Sequence, residues 1–188
     1  MVQMDSETDA LDRGEVAPDF ELQGVDGETH SLDDFADDEA VLLVFTCNHC
    51  PYAQAKFDEL NALADEYDDV SVVGINPNDA EEYPEDSYET MVEFVDAGRV
   101  DYDAYLRDES QAVAEAYGAT CTPDPFLLER DGEAFRLAYH GRLDDALNPD
   151  DEPTEREMKA IIDRLLDGET IDDEFKPSRG CSIKWTDD

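Results

Sequence analysis

The sequence predicts a single α/β domain in which a central mixed β-sheet is flanked by helices, and three observations point there. Two continuous apolar runs, EAVLLVFT (39–46) and VSVVGIN (70–76), read as strands buried on both faces. Helical patterns follow each of them. Further on, PFLLER and AFRLAYHG flank an Asp-Gly turn, the signal of an antiparallel hairpin. A chain of 188 residues, 40% of them hydrophobic, is long enough to bury one such core.

Taken in order, residues 1–14 are polar and acidic and are expected to be disordered, which leaves 15–188 as the domain, with a packed C-terminal tail. APDFEL, the turn VDGE and THSL form a small N-terminal hairpin, and Ser31 with Asp33 and Asp34 starts a helical turn ending near Phe35. Phe57, Leu60, Ala64 and Tyr67 recur at helical spacing, so one helix is expected over 51–67. SYETMVEFVDAG reads as an amphipathic helix ended by Gly98. DYDAYLRD is a short strand, and SQAVAEAYG a helix capped by Ser110 and closed by Gly118. EPTEREMKAIIDRLLDG is a helix with Pro153 near its start and Ile161, Ile162, Leu165 and Leu166 on one face. Ile183 and Trp185 suggest that the tail packs down.

The charge is lopsided: 52 acids against 13 Lys plus Arg, a formal net charge of -39. Such a surface repels nucleic acid and anionic lipid, so neither is expected as a partner. The acids are spread between apolar clusters, which reads as a solvated folded surface and not as a disordered tract. The pattern resembles proteins of salt-loving organisms, where molar salt shortens the Debye length to about 3 Å. The N-terminus lacks a basic start and an apolar core, and no run reaches the length of a membrane span. A cytoplasmic location is the expectation. Cysteines in a reducing compartment then point to catalysis, redox sensing or metal rather than to a structural framework.

FTCNHCPYAQ (45–54) sets Cys47 and Cys50 between a buried strand and a helix. Unpaired N–H groups and the positive dipole end of a helix stabilise a thiolate, and this placement puts Cys47 at that terminus with Cys50 in the first turn. Pro51 is tolerated there because its missing N–H has no partner in the first turn. His49 adds charge or a hydrogen bond to the same sulfur. The donors Cys47, His49, Cys50 and Cys121 also have the right types for zinc, but zinc pairs sit on knuckles more often than at a helix mouth, so no metal is expected. His30 and His140 read as surface or hairpin residues.

With these motifs the chain resembles the thioredoxin-like superfamily, in its redoxin branch of alkyl hydroperoxide reductases and thiol-specific antioxidant proteins. The likeness runs from residue 15 onward, through APDFEL, the strand before CNHCPY, Thr122–Pro123 in ATCTPDPFLL, the Asp-Gly hairpin and the terminal GCSIKW. It implies a thioredoxin-like fold with the N-terminal hairpin as an extension. It also implies a cis Thr122–Pro123 bond facing the cysteines, the backbone of Thr122 open to an incoming strand, and a substrate groove shaped by Thr122, Pro123 and Asp124. Pro125 departs from the pattern, since it falls where the next strand begins and cannot donate to a ladder. So does Val41, at the position of the buried acid of thioredoxins; His49, Asp124 or water is left as proton acceptor. Cys50–Pro51 matches a peroxidatic cysteine and its proline, but Cys47 stands where that site holds a threonine. Arg142 is the candidate for a thiolate-stabilising arginine, and a surface ion pair is equally consistent with it.

The expected activity is thiol–disulfide exchange on protein or small disulfides, with no cofactor beyond a redox-active Cys47–Cys50 disulfide. Cys47 would attack and Cys50 resolve. Its partners would be thiol or disulfide proteins and an electron donor that the sequence does not identify, and a monomer is favoured. The alternatives are a peroxiredoxin-like peroxidase with Cys50 peroxidatic and Cys47 or Cys121 resolving, and a redox sensor or metal-bound interaction protein. Cys121 and Cys181 are possible resolving thiols, or buried small residues.

Overall fold

The apolar runs form the middle of a seven-stranded sheet. In the computed structural model, which describes residues 3–7 and 10–186, the elements follow as β1 (Gln3–Asp5), β2 (Leu22–Gly24), β3 (Thr29–His30), β4 (Ala40–Phe45), α1 (Pro51–Gln54) and α2 (Phe57–Glu66). Next come β5 (Val70–Asn76), α3 (Tyr88–Asp96), β6 (Ala104–Arg107), α4 (Ala112–Tyr117), β7 (Cys121–Thr122), β8 (Asp124–Asp131), β9 (Ala134–His140), α5 (Glu157–Leu166) and β10 (Arg179–Ser182). The large sheet has the order β3-β2-β6-β5-β4-β8-β9, with β4, β5 and β6 parallel and the flanking strands antiparallel. A second sheet, β1-β10-β7, joins the two ends of the chain.

Alternation along β4 explains its unbroken hydrophobicity. Val41, Leu43 and Phe45 face a core with Tyr117 of α4, Phe126 and Leu128 of β8, and Ile183 from the tail. Leu42 and Val44 face the other side, against Leu60 and Leu63 of α2 and Met158, Ile161 and Ile162 of α5. No helix among the described residues is long and apolar enough to cross a membrane.

Several boundaries differ from the sequence expectation for identifiable reasons. The expected helix over 51–67 is two helices, because Lys56 N–H bonds to Ala53 O in a tighter turn between them. The side chain of Lys56 is meanwhile anchored on Asp144 Oδ1 (2.5 Å) and Ala146 O (2.8 Å). Helix α4 is capped by Gln111, in the left-handed region at φ 67°, and not by Ser110. Helix α5 begins after Pro153 because the carboxylate of Asp145 already accepts the N–H groups of Thr154 and Glu155. Pro125 lies within β8, opposite Val44, where its carbonyl accepts Gly141 N–H at 3.3 Å. N–H and C=O of one residue face the same neighbour in an antiparallel pair, so the missing donor costs a single rung at the end of the β8–β9 ladder. Part of the segment expected to be disordered is built into the fold: Gln3–Asp5 pairs with β10 and Leu11 is buried in the main core.

Candidate active site

Strand β4 ends at Phe45, and Thr46 still donates its N–H to Ile75 O at 2.8 Å. The chain then turns through residues 47–49 and enters α1 with Cys50 as N-cap and Pro51 as the first helical residue. The helix-end position expected for Cys47 therefore belongs to Cys50. Asn48 fixes the turn from two sides: its carbonyl accepts from Gln54 Nε2 of α1 at 2.6 Å, and its remaining groups bond to the loop before α3 and to β6. Its N–H donates to Asp86 Oδ1 (2.6 Å), its amide nitrogen to Glu85 O (3.0 Å), and its amide oxygen accepts from the Tyr105 hydroxyl (2.6 Å).

Cys47 is fully buried and carries a free thiol. Burial, and after it the charge of Asp86, pushes that thiol up to about 12; contact with Thr122 Oγ1 at 3.3 Å and the N–H of Cys50 oppose the rise only in part. An exposed, thiolate Cys47 is not what this fold provides.

The bonded sulfur is that of Cys50, and its partner is Cys181, not Cys47. Their Cα atoms are 6.4 Å apart, inside the range a disulfide spans. Strand β10 brings Cys181 there by pairing antiparallel with β7, placing Cys181 opposite Thr122 and Ser182 opposite Cys121. The Thr122–Pro123 peptide is cis, and Cys50 Sγ lies 3.7 Å from Thr122 O. The strand edge expected to be open at Thr122 is thus filled by the chain's own tail. Ser178 seals the same place, its hydroxyl donating to Pro123 O at 2.7 Å while its N–H donates to Ser6 Oγ at 2.8 Å.

Beside Cys47, His49 is hydrogen-bonded through Nδ1 to Asp86 and stacks on Tyr83, ring centroids 5.4 Å apart. Its Nε2 is buried with no hydrogen-bond partner among the described residues. Asp86 is itself buried; burial alone would raise its pKa, but the bonds from His49, Asn78 and the Asn48 N–H outweigh that and hold it below the ordinary carboxylate range. Lys184, in the tail, lies over the Tyr83 ring at 5.8 Å, and burial pushes its ammonium below its ordinary pKa.

The other expected site residues separate from this cluster. Asp124 is completely buried and bonded to His140 Nε2 at 2.6 Å, and burial raises its carboxyl above the usual range, so it does not line a groove. His140 is accordingly an interior residue, stacked on Phe126 at 4.0 Å, and not a surface one. Cys121 is buried with its sulfur 3.9 Å from Pro123 O, and burial raises its thiol strongly. Arg142 is held by Glu157 at 2.6 Å, the ion-pair reading of that residue. For a metal, the donors that come together at the cysteine turn are Cys47, His49 and Asp86, within 4.8 Å of one another, and not the set with Cys50 and Cys121; a second group, Asp26, Glu28 and His30, lies at the N-terminal hairpin. Asp86 already accepts from His49, Asn78 and the Asn48 N–H, so an ion there would have to displace hydrogen bonds.

Sequence reasoning missed Asp86, Lys184 and Gly180. One acid among 52 carries no local mark. Gly180 does have a sequence signal, since a glycine next to a cysteine within a strand points to close backbone approach.

Among curated proteins none matches this chain. Solved structures do. An uncharacterized conserved protein from Geobacillus kaustophilus is 41% identical with a TM-score of 0.90, over 99% of this chain and 97% of that one. A hypothetical protein from Sinorhizobium meliloti is 38% identical with a TM-score of 0.87, over 97% and 98%. A putative thiol:disulfide interchange protein DsbE from Chlorobium tepidum, 22% identical with a TM-score of 0.60 over 84% and 97%, shares the fold, which is thioredoxin-like. The model of the AhpC/TSA family matches residues 13–134, the stretch that holds the buried strands, the CNHCPY turn and the cis proline. With that match the chain is a member of the AhpC/TSA family.

Proposed function

We propose that the protein is a thiol–disulfide oxidoreductase whose working couple is Cys50 with Cys181, and in which Cys47 is a buried third thiol. The observation that carries this reading is the Cys50–Cys181 bond, formed at the N-cap of α1 and packed against Cys47. In the reduced protein the first N–H groups of α1 favour a Cys50 thiolate. That thiolate attacks a partner disulfide, forming a mixed disulfide and expelling one partner thiolate. Cys181 then attacks Cys50 Sγ, releasing the second partner thiol and leaving the Cys50–Cys181 bond; two electrons pass to the partner. An external dithiol resets the couple. Cys47, packed beside Cys50, would intercept it from the interior, handing its proton to His49, whose Nδ1–H is held by Asp86.

Family membership and the Cys50–Pro51 pair at a helix start favour a second reading, a thiol peroxidase with Cys50 attacking peroxide and Cys181 resolving. The pairing of Arg142 with Glu157 weighs against it, since that guanidinium is committed elsewhere.

One experiment separates the two. The reduced full-length protein in molar potassium chloride is offered either insulin, with dithiothreitol as electron source, or hydrogen peroxide. Accelerated insulin reduction that disappears in Cys50→Ser, with peroxide consumed no faster than by free cysteine, is the expected result. Rapid peroxide consumption without insulin reduction would replace this reading with the peroxidase.

A further inference from the structure

The occupant of the Thr122 edge is unusual at one position. A Cβ on Gly180 would lie 1.9 Å from Thr122 O, 2.5 Å from Thr122 C and 3.1 Å from Pro123 N. All three are backbone atoms, and they belong to the peptide leading into the cis proline. Flexible side chains could yield to a methyl group; this backbone is held independently of the tail, because the next residue, Asp124, is paired with Phe45 of β4 and bonded to His140. The residue before the half-cystine must therefore lack a side chain if the strand is to lie in this register with its sulfur on Cys50. The same demand falls on any other segment that takes the place of β10 beside β7.

We propose that this edge is a docking site for extended polypeptide segments in which glycine immediately precedes the reacting cysteine, and that Arg179–Ser182 is the chain's own tethered copy of such a segment. The proposal deepens the thiol–disulfide reading and rests on it. A partner thiolate attacks Cys50 Sγ; a partner–Cys50 disulfide forms, the Cys50–Cys181 bond breaks, and Cys181 leaves as a thiolate that solvent protonates. No net oxidation occurs, so the step needs no further reactant.

The test offers the oxidised full-length protein two reduced peptides in parallel, SRGCSIK and SRACSIK, and also dithiothreitol, which has no preceding residue. Adducts are trapped by acid, alkylated and mapped by mass spectrometry. The glycine peptide should form about tenfold more Cys50 adduct than the alanine peptide, because a methyl group there is forced into occupied space; tenfold corresponds to about 1.4 kcal/mol. Equal adducts, or none from either peptide while dithiothreitol opens Cys50–Cys181, would overturn the proposal and leave thiol–disulfide exchange standing. Failure of dithiothreitol itself to open the bond would remove both.

Discussion

Cys50 and Cys181 are 131 residues apart in the chain and covalently joined, with their Cα atoms 6.4 Å apart. The bond fastens the tail across the mouth of the cysteine turn, and β1 closes its outer edge, so both ends of the chain converge on the reactive sulfurs. Cys50 and Cys181 are almost wholly buried in consequence. Under the proposed exchange reaction a partner would first displace part of the small sheet, so that access, as much as sulfur reactivity, would set the rate.

Removing the cross-link should weaken the oxidised protein alone. Closing a loop of this length stabilises a fold by about 2–5 kcal/mol, chiefly through the unfolded chain. Cys181→Ser should lose about that much in denaturant titrations without reductant, and match the wild type when both are reduced. Equal stability of the two under oxidising conditions would mean that the bond does not form in solution.

Cys47 should titrate as a buried thiol. With its thiol pushed up to about 12, its thiolate fraction rises tenfold per pH unit well past the free-cysteine value of about 8.5. Alkylation of Cys47 by iodoacetamide at pH 8, read by mass spectrometry, should be roughly a thousandfold or more slower than that of free cysteine, with no levelling off between pH 8 and 10. A plateau near 8.5 would place Cys47 at the surface instead.

Asp86 should make stability depend on acid in a defined sense. Its folded pKa lies below the unfolded value of about 3.9, so the folded state releases its proton more readily. The stabilisation is therefore complete above pH 4 and lost as pH falls through the folded value. Asp86→Asn should be less stable than wild type at pH 7, and the gap should close as pH drops from 4 towards 2. A gap independent of pH would mean that Asp86 is held for packing, not for its charge.

Much of the architecture could be read from local pattern. The runs at β4 and β5 are apolar at every position because both faces of those strands are covered, and Asp26–Gly27 and the turn before β9 have the chemistry of tight turns. Local sequence also marked CNHCPY as a candidate site, and the strand before it ends and the helix after it begins where expected. Long-range geometry decided the rest. Which cysteine pairs with Cys50 depends on β10 crossing to β7, a register set by Gly180 against Thr122 that no spacing rule contains. Which cysteine stands at the helix N-cap goes with how the turn is held, and Asn48 holds it through Asp86 and Tyr105, which lie far along the chain. Asp124, expected in a substrate groove, and His140, expected at the surface or in the hairpin, become an interior pair because β8 and β9 bring them together. Sequence by itself determined most of the elements and singled out the cysteine turn, because propensity and periodicity act between near neighbours. Tertiary structure alone decided burial, pairing and protonation, because those are set by whichever distant groups share the same few ångströms of dry interior.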